Sequence, residues 1–439
     1  MKALIVVATL VACLVSSLAG PVHAQAPQPI GDDFRVNTYT TGSQRNPAVA
    51  MDGSGDFVVV WGSFNQDNPG FQDEGIFGQR FDATPSTLGD EFQINTFTSG
   101  IQRFSAVSMD AAGNFVVVWE SRHHAAQAQY RDVFGQRFAA DGAPTGDEFQ
   151  VNVSTLENQE WPDVASGPNG DFVVVWQSDT EENTFATDVI LGRQFLADGT
   201  PGNEFRANTY TTQDQARPAV AIDADGDFVV VWTSYTGQDG DLGGIFGQRF
   251  DSDGTPNGDE FLVNTTTTGW QDVPDVAMDA EGNFLVAWGD TAGLDGDGQG
   301  IFGRRFLANG DPQGSEFQVN TYTTSQQYYP AVASASNGSF VVVWQSYLAP
   351  GGQADDIVGQ LFTNTGAPVG GEFQVNSFTP GFQRYPQIAT GGSGLFIVAW
   401  DGSNDGSLNG AFSRLFQIEP VFADGFESGD TSLWSSESP

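Results

Sequence analysis

The stretch Phe57-Val58-Val59-Val60-Trp61 decides the fold, because it returns six more times. Its tryptophan recurs as Trp119, Trp176, Trp232, Trp288, Trp344 and Trp400, at steps of 58, 57, 56, 56, 56 and 56 residues. A second phrase, built on Phe-x-Val-Asn, keeps the same steps from Phe34 to Phe373. A third, Ile-Phe-Gly-Gln-Arg-Phe and its variants, ends at Phe81, Phe138, Phe195, Phe250, Phe306, Phe362 and Phe416. Three phrases in fixed order, seven times over, mark a tandem repeat.

Each unit holds four short strand-like runs. In the first unit these are Phe34 to Tyr39, Pro47 to Met51, Phe57 to Trp61 and Ile76 to Phe81. They are rich in Val, Phe, Thr and Trp and are bounded by Gly, Pro, Asp and Asn. No sustained 3.6-residue periodicity interrupts them. Four strands repeated seven times predict an all-β, seven-bladed β-propeller with four antiparallel strands per blade.

The phrases also order the strands. Phe-Val-Val-Val-Trp is apolar on both faces, which suits a strand sandwiched between blades. The small-residue run before it, Pro47 to Ala50 in the first unit, suits the crowded axis. A glycine at 55, 113, 170, 226, 282, 338 and 394 supplies the turn between the two. The Gly at 78, 135, 192, 247 and 303 predicts a bulge or a close backbone approach in the third strand. Phe-x-Val-Asn is outermost. The chain begins with such an outer strand, Asp33 to Thr38, and ends its repeats on a third strand, Ala411 to Phe416. The N-terminal strand is therefore expected to complete the last blade and close the ring.

Composition bounds the setting. The 439 residues include 55 acidic and 16 basic ones, for a formal net charge of −39. Such a surface repels phosphate backbones and anionic membranes, which excludes nucleic-acid binding as a reading. Lys2, the apolar run Ala3 to Leu18 and the small residues Val22-His23-Ala24 read as a signal peptide over residues 1–24. The propeller is then expected over 25–416, and a tail carrying Asp-Gly-Phe-Glu-Ser-Gly-Asp over 417–439. The single cysteine, Cys13, falls inside the leader, so no disulfide is expected and stability must come from packing. These features predict a secreted, extracellular monomer without a membrane span; the periplasm and the cell surface are the other addresses.

Positions identical in all units read as architecture, among them Gln44 and Asn37 with their six counterparts. Function is sought where the copies differ, in the long loops between second and third strands, which share a face with the outer-to-inner connections. Blade five carries Asp290, Asp295 and Asp297, blade four Asp239 and Asp241, blade one Asp67, Asp73 and Glu74, and blade seven Asp401 and Asp405. Oxygen-rich loops of this kind suit calcium, although the full twelve-residue calcium loop is absent. Asp290, Asp295, Asp297, Asp239 and Asp241 are the calcium candidates, calcium being the only cofactor the sequence suggests. Arg122, His123, His124 and Arg131 form a candidate ligand site on the blade-two loop.

The unit Phe-x-Val-Asn-Thr … Gly-x-Phe-Val-Val-Val-Trp … Ile-Phe-Gly-Gln-Arg-Phe, over about residues 31–416, resembles a tandem repeat of large secreted bacterial proteins. Many of those carry haemolysin-type calcium-binding nonapeptides. The resemblance implies a bacterial extracellular protein with calcium association and surface interaction. No Gly-Gly-x-Gly-x-Asp array is present, so it assigns calcium to no residue here.

The expected function is a non-enzymatic binding or scaffold module for an extracellular protein or glycan, calcium-stabilised in one version. No nucleophile elbow, phosphate loop, dinucleotide fingerprint or sialidase Ser-x-Asp-x-Gly-x-x-Trp box is present. The alternative is a polysaccharide-active hydrolase or lyase using acidic residues of the long-loop face.

Overall fold

The computed structural model describes residues 26–67, 73–122, 130–180, 187–347, 354–403 and 409–418. The leader, His123 and His124, Asp405 and the tail from residue 419 lie outside them. The described residues form seven four-stranded antiparallel sheets arranged as a propeller. Blade one is Gln44–Met51, Phe57–Phe64, Glu74–Phe81 and Phe92–Gln93, from axis to rim. No described helix is long and apolar enough to cross a membrane.

The second strands hold the ring together. Val58, Val59, Val60 and Trp61 have no exposed surface. Alternation sends their side chains to two different interfaces. Val59 and Trp61 pack with Ile397, Ala399 and Leu415 of blade seven. Val58 and Val60 pack with Val117, Trp119 and Phe134 of blade two. Each blade thus buries both faces against neighbours. Nearer the rim, Phe57 stacks on Phe81 at 5.0 Å, and the same ring pair recurs in blades two to five and seven.

The ring closes as the sequence predicts. Gln28–Arg35 pairs with Gly410–Gln417, so blade seven takes its outer strand from the chain start and its other three from the chain end. The invariant residues are architectural. Asn95 accepts from the Ile76 amide at 2.7 Å and donates to the Phe97 carbonyl at 2.8 Å, and Asn37 serves Ala411 and Tyr39 in the same way across the closure. Gln159, Gln215 and Gln383 accept from the indole N–H of Trp176, Trp232 and Trp400.

Two local features differ from expectation. The third-strand glycines make no bulge, because Val60, Val59 and Trp61 pair with Gly78, Gln79 and Phe77 without interruption. They clear space for a ring instead: a Cβ on Gly135 would lie 2.7 Å from Phe149 Cζ, and one on Gly192 2.4 Å from Phe205 Cζ. The bulge sits in the inner strand of every blade, between Arg45 and Ala48 in the first. There the third residue takes a left-handed backbone: Asn46, Phe104, Trp161, Arg217, Val273, Tyr329 and Tyr385 all have φ between 48° and 54°. A non-glycine residue holds that conformation only where its surroundings impose it.

An inter-blade latch completes the ring. Glu91, entering the outer strand of blade one, accepts from Thr38 N at 2.6 Å and Thr38 Oγ1 at 2.8 Å. Glu148, Glu204, Glu260, Glu316 and Glu372 repeat the contact, and Asp33 makes it to Ser377 at the closure.

Candidate functional site

The seven left-handed residues ring the mouth of the central channel, on the face where inner strands begin and the long loops emerge. The residue at this position changes from blade to blade. Phe104 and Trp161 pack tilted with centroids 4.1 Å apart, and the Arg217 guanidinium lies 4.8 Å over Trp161. Across the ring, Tyr329 and Tyr385 pack at 4.9 Å. All are half-buried.

Just outside this ring, three consecutive blades carry an arginine with a carboxyl group. In blade two Arg103 faces Glu120 across the strand pair, Nε to Oε1 at 2.9 Å. In blade seven Arg384 faces Asp401. In blade one Arg45 faces Gly62, which has no side chain to offer. Glu74 fills that gap from the start of the third strand, with Oε1 2.7 Å from where a Cβ on Gly62 would stand. One chemical station is thereby supplied from two different strands.

The charges alternate around this arc. Asp355 accepts from Arg384 Nε at 2.7 Å. The charges of Arg384 and Arg45 act on Asp401, and those of Arg45 and Arg103 on Glu74. Arg131 reaches Glu120 at 3.1 Å and bonds Glu160. Burial nevertheless wins over the arginines. It pushes Glu74 up to about 7, against the pull of Arg45 and Arg103 and with help from Glu120 and Asp67. It pushes Asp401 up to about 7, against Arg384 and Arg45. Glu120 and Asp272 are raised by the same cause. Two carboxyl groups poised near neutrality within the field of one cation can hold and release a proton at working pH.

The sequence candidates are placed differently. Asp290 is buried, accepting from Gln271 Nε2 and the Ala292 amide, both at 2.8 Å. Asp295 and Asp239 fold back over Gly300 and Gly244 and accept from the Asp297 and Asp241 amides. Asp297 and Asp241 in turn accept from the Ser325 and Gly269 amides. These acids tie loops to backbone. Among the described residues no three His, Cys, Asp or Glu side chains converge as a metal site. Of the blade-two candidates, Arg131 joins the charged arc, Arg122 is its partner across the strand pair, and His123 and His124 lie outside the described residues. A recess of about 250 Å³ on the other face, between blades two and three, offers no chemistry, since Asp110, Asn114 and Arg137 are spent on turns there.

Sequence reasoning named Glu74 and Asp401 only as loop acids and missed the aromatic ring. The signal was present in the two variable residues after each invariant Gln, Arg45-Asn46 through Arg384-Tyr385.

No family model matches the chain, and no curated relative matches it in sequence. Solved structures share its fold. An ulvan lyase of a new polysaccharide lyase family, bound to a glucuronate–sulfated rhamnose unit, is 11% identical at a TM-score of 0.54, covering 90% of this chain and 96% of that one. The polysaccharide lyase Uly1 is 8% identical at 0.52, covering 90% and 99%. An α-L-arabinanase of Penicillium chrysogenum with arabinobiose is 12% identical at 0.50, covering 89% and 100%. These neighbours correct the expectation of a non-enzymatic module. That expectation rested on missing sequence motifs, and these propellers are enzymes built on the same scaffold, where catalytic groups meet in space rather than in sequence.

Proposed function

We propose that the protein cleaves a polysaccharide at the mouth of its central channel, with Glu74 and Asp401 as the proton-handling pair. The observation that carries this reading is the pair itself, two carboxyl groups at the start of the third strand of blade one and on the second strand of blade seven, both raised to about 7 by burial and both lowered by the charge of Arg45. A general acid and a general base work best with pKa values near the operating pH. Phe104 with Trp161, and Tyr329 with Tyr385, supply flat apolar faces for the C–H faces of sugar rings. The polysaccharide-cleaving neighbours support the reading through the shared scaffold. Release of new reducing ends from a polysaccharide panel is the test. Glu74→Gln and Asp401→Asn should each lower turnover at least a hundredfold while the melting temperature stays close to the parent. Unchanged turnover in both variants defeats the assignment.

A further inference from the structure

We infer that the chain taken by this mouth is uncharged and hydroxyl-rich, and that its cleavage is hydrolysis rather than elimination. The inference rests on reading the mouth as a polysaccharide-cleaving site.

The first ground is that three of the mouth's arginines are already held by carboxylates. Arg103 is held by Glu120, Arg131 by Glu120 and Glu160, and Arg384 by Asp355. The Arg217 guanidinium lies 4.8 Å over the Trp161 ring, and the charge of Arg45 acts on both Glu74 and Asp401. A uronate or sulfate ester would have to displace a protein carboxylate from Arg103, Arg131 and Arg384. It would do so against the field of a chain with net charge −39.

The second ground is what lacks a partner. Glu120 and Asp401 are 1% and 4% exposed, yet Glu120 Oε2 and Asp401 Oδ1 meet no hydrogen-bond donor among the described residues. Asp272 Oδ1, on the far side of the mouth, is in the same state. A buried acceptor left without a donor is unfavourable and is relieved by any hydroxyl that reaches it. Sugar hydroxyls are donors of the right kind, and sulfates and carboxylates are not. Buried acceptors that lack a donor suit a neutral polyol.

Substrate class then fixes the reaction. Elimination across a glycosidic bond removes a C5 proton made acidic by a neighbouring carboxylate. A neutral sugar has no such proton. The remaining route is hydrolysis: one carboxyl of the Glu74–Asp401 pair protonates the leaving glycosidic oxygen as the C1–O bond breaks. The other, ionised, takes a proton from the water whose oxygen bonds to C1. One water is consumed, and the pair ends with the same number of protons.

The test uses the full chain against arabinan, galactan, xylan and mixed-linkage β-glucan on one side, and alginate, polygalacturonate and dextran sulfate on the other. Binding is read by retardation in polymer-containing native gels, cleavage by reducing ends, and elimination by ultraviolet absorbance of unsaturated uronate. The expected result is retardation by a neutral polymer and reducing ends without that absorbance. Trp161→Ala should bind about tenfold more weakly, and Tyr329→Ala, on the opposite arc, serves if that variant fails to fold. Retardation only by the charged polymers, ultraviolet-absorbing product, or no retardation in any gel overturns the inference. Cleavage of a polyuronate would do so while leaving the catalytic reading intact. Retardation by a neutral polymer without reducing ends would keep the ligand class and remove the catalytic reading.

Discussion

Asp33 accepts from the backbone amide of Ser377 at 3.2 Å and also from its hydroxyl, joining positions 344 residues apart. It does for the closing seam what Glu91 does for Thr38 within the array. The shorter Asp in place of Glu marks the one seam where the outer strand comes from the other end of the chain.

Removing residues 26–35 should therefore strip blade seven of its outer strand and lower the melting temperature by well over ten degrees, by exposing the Phe34 and Val36 packing sites. Glu148→Ala, which deletes one latch in the middle of the array, should cost only about 1 kcal/mol, because the Thr96 groups it leaves are exposed to water. Equal losses in both variants would mean the seam is not special. Chemical denaturation of the pair decides it.

Gly62→Ala tests how Glu74 is held. A methyl group there would stand 2.7 Å from Glu74 Oε1, so the carboxyl must move while the backbone, with ordinary strand pairing, need not. Turnover should fall tenfold or more with little change in KM and less than about 1 kcal/mol in stability. Combined with Glu74→Gln the loss should not add, since both remove the same group. Full additivity would detach Gly62 from Glu74.

Activity should follow a bell-shaped pH profile centred near neutrality. Glu74 and Asp401 share the Arg45 field, so the two limbs belong to the pair rather than to either residue. Arg45→Ala should move both limbs to higher pH, because the cation now lowers both groups. An unshifted profile would remove Arg45 from the site.

Stability should fall as pH rises from about 4 to about 7. Asp163 is pushed up to about 6 and Asp275 to about 7, burial being the main cause in both. The folded chain thus keeps protons that the unfolded chain has released, and loses that advantage as each group ionises. Asp163 Oδ2 and Asp275 Oδ2 accept from the Val220 and Val332 amides of the next blade, a bond an Asn carbonyl can also make. Asp275→Asn should gain about 1 kcal/mol at alkaline pH after discounting for channel water, and flatten the slope. Melting curves across that range check it.

The architecture was legible because packing repeats and chemistry does not. Trp61 and its six counterparts report a two-sided strand wherever they occur, and Asp33 to Thr38 reports the closure by being an outer strand with no blade before it. The third-strand glycines were misread because a Phe ring from the neighbouring strand, not the backbone, occupies their missing side chain. The mouth was hidden for a related reason. Glu74 and Asp401 sit on different strands of different blades, and only the ring geometry brings both beside Arg45. The acids that looked most like a cation site, Asp295 and Asp297, are spent on loop amides.

The closing strand has one more consequence. Gln28 pairs with Gln417, at the edge of the disc away from the mouth. Both ends of the propeller therefore depart side by side from its back. Whatever is fused, tethered or immobilised through either end meets the rear of the disc and leaves the opening pointing outward.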